Sequence, residues 1–207
     1  MNVLELPVLS RAFYLRPTLD VARDLLGAVL VSTEGPALVA GRIVEAEAYH
    51  QDGDRAAHSY RGKTKRNEVM FREGGILYVY FTYGMHYCMN VVTEREGVGA
   101  AVLIRAVEPL AGLDIIRRRR PAARRAEDVT NGPAKVCQAF AVDRRHNGLS
   151  LLDGSITIRR DAGYARGTIA ASPRVGIRDS VDLPWRFFLA GNPFVGKGKP
   201  AARGRSG

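Results

Sequence analysis

Residues 76–92, ILYVYFTYGMHYCMNVV, constrain the fold more than any other stretch of the chain. They follow Gly74-Gly75, are dense in aromatic and β-branched side chains, and are interrupted by Thr82-Tyr83-Gly84. That pattern reads as a β-hairpin with a tyrosine at its tip. A hairpin is stable only beside further strands, and the chain supplies them. Residues 28–33 and 38–46, rich in Val, Ile and Leu around a Glu34-Gly35-Pro36 turn, predict a strand pair whose second member ends in carboxylates. Residues 100–107 predict another buried strand, residues 150–169 short strands and turns, and residues 185–189 a last apolar strand.

Helices intermix with these strands. Pro17 and Thr18 open one over residues 17–27, with Val21, Leu25 and Leu26 as its apolar stripe. A second, over residues 109–120, turns Leu110, Leu113 and Ile116 inward and closes on four arginines that complement its dipole. A third opens at Asn131-Gly132-Pro133, runs to about Phe140 and has an N-terminus able to hold a phosphate. Residues 50–65 lack any period and read as a long surface loop. There is no regular βαβ alternation. The expected fold is therefore α+β: one compact domain over residues 1–196, with a mostly antiparallel curved sheet, flanking helices and a protruding hairpin, followed by a flexible basic tail over residues 197–207.

The 207 residues include 31 Lys+Arg against 21 Asp+Glu, a formal net charge of +10 that favours a polyanionic partner. Cys88 and Cys137 form no CxxC pair, which speaks against a disulfide framework or a cysteine zinc site and fits a reducing cytoplasm. The first residues lack a basic and apolar leader, and no run of about 18 apolar residues occurs, so a soluble cytoplasmic protein without membrane association is expected.

The segment GRIVEAEAYH places Glu45, Glu47 and Tyr49 on one strand face. They fit either a solvated face or a functional one, since a carboxylate among aromatic and apolar neighbours can act as general base towards water. Tyr78, Tyr80, Tyr83 and Tyr87 fall within ten residues. Tyr78 and Tyr87 suit core packing, Tyr49 and Tyr80 could form flat walls for a flipped base, and Tyr83 at the hairpin tip could wedge into stacked bases from the minor groove. His50, Asp52, Asp54 and His58 are metal-ligand types, but their spacing matches no zinc or calcium template, and a loop histidine meeting a nucleotide is the better reading. Among the five lysines only Lys135 is a candidate for a buried amine, and contact with a phosphate explains it more simply.

Taken together, GRIVEAEAYHQDGDRAAHS, TKRNEVMF, ILYVYFTYGMHYCMNVV, LIRAVEPLAGLD, NGPAKVCQA and PRVGI stand in the order and spacing of the alkyladenine DNA glycosylases, the mammalian type of 3-methyladenine DNA glycosylase. The chain resembles that family from about residue 15 to residue 195, with residues 141–168 and the basic tail outside the confident match. The resemblance implies a monofunctional enzyme that hydrolyses the N-glycosidic bond of 3-methyladenine, 7-methylguanine, hypoxanthine or ethenoadenine flipped out of double-stranded DNA. Glu47 then activates the attacking water, which Arg105 and the backbone carbonyl of Val175 hold. Tyr49, His58 and Tyr80 enclose the base, Asn90 crowds the 2-amino group of guanine, and Tyr83 fills the vacated stack from a hairpin in the minor groove. Lys135 and Arg66 are candidate phosphate contacts. No cofactor, metal or lyase lysine is implied, water is the co-substrate, and a monomer is expected. An unpaired exocyclic amine in a dry pocket is penalised by about 1–3 kcal/mol, which would exclude guanine. A non-catalytic binder of distorted DNA is the main alternative. A zinc deaminase would want a CxxC pair that the chain lacks, and an RNA-binding module would leave the carboxylate spacing unexplained.

Overall fold

The computed structural model describes residues 2–35, 38–82 and 84–198. Tyr83, Pro36 of the first turn and most of the basic tail lie outside the described residues. Eight strands form one antiparallel sheet: β1 (Val29–Ser32), β2 (Val39–His50), β3 (Leu77–Thr82), β4 (His86–Val92), β5 (Ala100–Ala111), β6 (Ile156–Arg159), β7 (Ile169–Ser172) and β8 (Arg186–Leu189). Their order is β3-β4-β5-β2-β1-β6, and β8 also pairs with β2 while carrying β7. Among the described residues four α-helices accompany the sheet, with three short 3-10 turns between elements; the helices are α1 (Arg11–Tyr14), α2 (Thr18–Asp24), α3 (Leu113–Arg119) and α4 (Pro133–Phe140). Among the described residues no helix is long and apolar enough to cross a membrane.

Alternation along the central strands separates two environments. Leu77 and Val79 on β3, Met89 and Val91 on β4, Val102 and Ile104 on β5, and Ala46 and Ala48 on β2 join the main core with Val21, Ala22 and Leu25 around α2 and Val136, Ala139 and Phe140 of α4. The residues between them face the other way. Tyr78, Asn90, Leu103, Glu47 and Arg186 are partners in one row across β3, β4, β5, β2 and β8. That row is unusually polar for a sheet interior, and the functional geometry is built on it.

Three expectations need correction. The second strand does not end at its carboxylates: β2 runs on to His50, with Glu45 and Glu47 in mid-strand and completely buried, because arginines from β5 and β8 neutralise them. The helix expected over residues 109–120 is shorter. Residues 109–111 continue β5 beside β2, where Pro109 sits opposite Gly41 next to a register shift, a position that tolerates a residue without an N–H. The period is therefore two up to Ala111, and Leu110 and Leu113 are 37% and 39% exposed while only Ile116 is buried. Gly112 makes the change of direction at φ 72°, and a Cβ there would stand 2.5 Å from the Leu38 carbonyl oxygen. The long loop over residues 50–65 is also less superficial than expected, since Asp54, Ala57 and Ser59 are buried.

Gly112→Ala combines a left-handed backbone with a clash against main chain, and it should destabilise the protein by more than about 1 kcal/mol in urea unfolding. An unchanged midpoint would contradict this role for the strand-to-helix corner.

Candidate active site

Two β-bulges shape the polar row. Between β2 and β5 the register moves from Ile43↔Val107 to Glu45↔Ala106 and then to Ala46↔Ile104, which leaves Val44 and Arg105 as the extra residues. A bulge re-aims the side chain it carries, and Arg105 is turned so that it meets both carboxylates of β2. Its Nε donates to Glu45 Oε1 at 2.8 Å, and its Nη1 lies 3.3 Å from Glu47 Oε1. Glu45 also accepts from Arg186 Nε at 2.7 Å and from the Gly196 backbone N–H at 2.6 Å. Glu45 therefore clamps Arg105, and Glu47 receives its remaining face.

Glu47 has further partners. Oε1 accepts from the Val175 backbone N–H at 2.7 Å, and Oε2 accepts from the Tyr49 hydroxyl at 2.8 Å. Glu47 is thus neither on a solvated face nor among aromatic and apolar neighbours alone, but is met by a set of donors. Burial and the adjacent Glu47 charge push the Tyr49 hydroxyl well above the ordinary tyrosine range, so it remains a proton donor to that carboxylate. On Val175 it is the amide, not the carbonyl, that touches Glu47.

A cleft of about 440 Å³ opens in front of this group. Tyr49, His58, Tyr80, Asn90, Arg105 and Val175 all line it, together with Arg66, Cys88 and Leu103. The alternation of β3 and β4 accounts for Tyr78, Tyr80, Cys88 and Asn90 sharing one face, with Tyr80 opposite Cys88 and Tyr78 opposite Asn90. The Asn90 amide donates to the Tyr78 carbonyl at 3.1 Å, which holds its side chain at the cleft wall. His58 reaches the same wall from the loop after β2. Its ring lies edge-on to Tyr80 with centroids 4.6 Å apart, and its Nδ1 is 3.0 Å from the Tyr78 hydroxyl. Burial pushes the Tyr78 hydroxyl up to about 12, while burial and the neighbouring Cys88 thiol raise Tyr80 further.

The sequence reading missed what holds these loops. Arg174 and Asp54 are both completely buried and form a two-pronged ion pair, with Nη1–Oδ2 at 2.6 Å and Nη2–Oδ1 at 2.7 Å. Arg174 also donates to the Ala48 carbonyl at 2.9 Å and lies over the Tyr49 ring. One pair therefore ties β2, the loop that carries His58 and the loop that carries Val175. Asn67 completes the support by donating to the His58 carbonyl at 2.8 Å. Asp54 is occupied by this pair, His50 sits 3.5 Å from Glu94, and His58 packs against Tyr78 and Tyr80, so the loop residues considered as metal ligands serve separate contacts. Among the described residues no group of three or more His, Cys, Asp or Glu could hold a metal ion. Lys135 does not line the cleft. Its ammonium donates to Asn131 at 2.7 Å, and Pro133 occupies the rim instead. Exposed Arg55 and Arg178 at the mouth also escaped the sequence reading.

The family model described as methylpurine-DNA glycosylase matches residues 12–193. The chain belongs to the methylpurine-DNA glycosylase family. A relative from Carboxydothermus hydrogenoformans is 50% identical over 191 residues, covering 92% of this chain and 99% of its own. One from Burkholderia lata is 47% identical over 190 residues, covering 91% and 90%. One from Methanocella arvoryzae is 46% identical over 198 residues, covering 94% and 98%. Each is provisionally named a 3-methyladenine DNA glycosylase. The match takes in every strand and helix of this family member except the first residue of α1.

Desolvation and then the positive charge of Arg66 hold the His58 imidazole below the ordinary histidine value, so it is neutral at pH 7. An NMR titration should place the His58 midpoint below 6.5, and a midpoint above it would contradict the packing described.

Proposed function

We propose that this glycosylase removes alkylated or deaminated purines flipped out of duplex DNA, by carboxylate-activated water. The observation that carries the reading is the buried Glu47, held by Arg105, Val175 N–H and Tyr49 behind a cleft walled by Tyr49, His58 and Tyr80. Family membership makes N-glycosidic hydrolysis the chemistry to which such a carboxylate is suited.

In the reaction, Glu47 accepts a proton from water as the water oxygen bonds to C1′ of the sugar. The bond from C1′ to the base nitrogen breaks, and its electron pair leaves with the base. An N-alkylated purine already carries positive charge and departs readily. Hypoxanthine is neutral and must gain a proton, so its release is slower. The same carboxylate stabilises the cationic sugar in the transition state, and Arg105 keeps it oriented. Aromatic faces tolerate several flipped bases, and a damaged or mismatched base costs less to unstack than a normal pair. Asn90 crowds a 2-amino group, which discriminates against guanine. Tyr83 fills the gap left in the helix, and Arg66 contacts a phosphate beside the lesion. Lys135, the lysine singled out as a candidate amine, is held by Asn131 and does not line the cleft, which supports a reading in which the strand is left uncut. Residues 1–196 act as one domain, as a monomer, with water as co-substrate and no cofactor.

Glu47→Gln preserves size and an acceptor for Val175 but removes the base. Single-turnover release from a hypoxanthine duplex should fall by about a hundredfold or more, with affinity for the same duplex nearly unchanged in a binding titration. Wild-type release rates in the variant, or equal loss of binding and release, would contradict the role.

A further inference from the structure

Six arginines lie within residues 117–125, RRRRPAARR. The dipole of α3 favours cations in its last turn, but it does not reach the two arginines that follow Pro121. Three of the six are tied down. Arg119 donates to the Ala139 carbonyl at 2.9 Å, Arg120 donates to the Gln138 side chain, and Arg125 grips Asp128 at 2.9 and 3.1 Å.

These ties lay the segment along α4. Gln138 and Ala139 belong to the far end of that helix. Asp128 instead accepts from Asn131 at 3.2 Å, just ahead of Pro133 at the cleft rim. The segment thus spans the length of α4, about 12 Å for eight residues. Arg117, Arg118 and Arg124 are exposed and make no ion pair or side-chain hydrogen bond among the described residues. The nearby acids do not neutralise them, since Glu127 and Asp128 are engaged by Arg125.

We propose that Arg117, Arg118 and Arg124 form a track for the sugar-phosphate backbone of the duplex on one side of the lesion. The proposal rests on the glycosylase reading of the cleft and adds a surface that the cleft does not need for chemistry. Duplex DNA advances about 3.4 Å per base pair, so the track reaches about three or four base pairs beyond the flipped nucleotide. Arginine suits the task because its planar fork meets phosphate oxygens in pairs. The tied arginines fix the backbone of the segment, and the free ones face the polyanion.

The test compares wild type with R117A/R118A/R124A and with R95A/R144A/R160A, a control that removes the same charge from exposed arginines elsewhere. Affinity for a hypoxanthine duplex with about twelve base pairs on each side of the lesion is measured against salt concentration. The track variant should lose about two to three units of the log–log salt slope, the release of one phosphate contact each. The control should lose less than one unit. Trimming the duplex to about two base pairs on one side should abolish the difference from wild type, and trimming the other side should preserve it. Single-turnover base release at saturating enzyme should be unchanged in the variant, which should still unfold in one cooperative transition. Equal slopes on the long duplex, an equal fall in the control, or a deficit indifferent to the trimmed side would overturn the track. Failure of wild type to release base would instead sink the glycosylase reading and leave the slope comparison to decide the track by itself.

Discussion

The structure depends on Arg105 standing between two buried carboxylates. Glu45 and Glu47 are completely buried in the middle of β2, a position where two uncompensated negative charges would each carry a desolvation penalty of several kcal/mol. Arg105 and Arg186 bring two positive charges to meet them, so the group is neutral as a whole and each of the four carboxylate oxygens has a donor. Removing one member would leave a buried charge unpaired. The bulge at Arg105 is the backbone form of the same constraint, since a regular pairing of β2 with β5 would send alternate side chains elsewhere.

From this centre the arrangement spreads outward in two steps. The Gly196 N–H on Glu45 and the Val175 N–H on Glu47 pin the late part of the chain over the early strand. The Arg174–Asp54 pair then fixes the loops that carry Val175 and His58 against β2. Both pairs are long-range and buried, so they stabilise one loop geometry over many. The cleft that results has rigid aromatic and amide walls on the strands β3 and β4 and a histidine supplied by a loop that is held at both ends.

Much of this was legible in the residues. The hairpin over residues 76–92, the strand pair that precedes it and α4 follow from periodicity and from Gly and Pro at their ends, and those signals are local. The residues singled out along β2, β3 and β4 lie together because period-two alternation is also local. What escaped the sequence was set by distant partners. The burial of Glu45, the pairing of Asp54 with Arg174 and the clamp of Arg186 each join residues more than a hundred positions apart. Residues 109–111 misled for a related reason: Pro109 and the leucines after it suit a helix start, yet β2 offers a partner and the strand continues until Gly112. The bulges leave no mark in composition at all, and the environment of Glu47 could not be read until the donors around it were placed.

In the proposed mechanism this charge-balanced group hydrolyses a glycosidic bond and leaves the DNA strand intact. The most direct test is to incubate excess wild-type protein with duplexes bearing a single 3-methyladenine or hypoxanthine, then to measure free base by chromatography and strand length before and after alkali. The account predicts release of both bases, 3-methyladenine faster, with strands intact until alkali is added. Tight binding without free base, or strand cleavage before alkali, would contradict it.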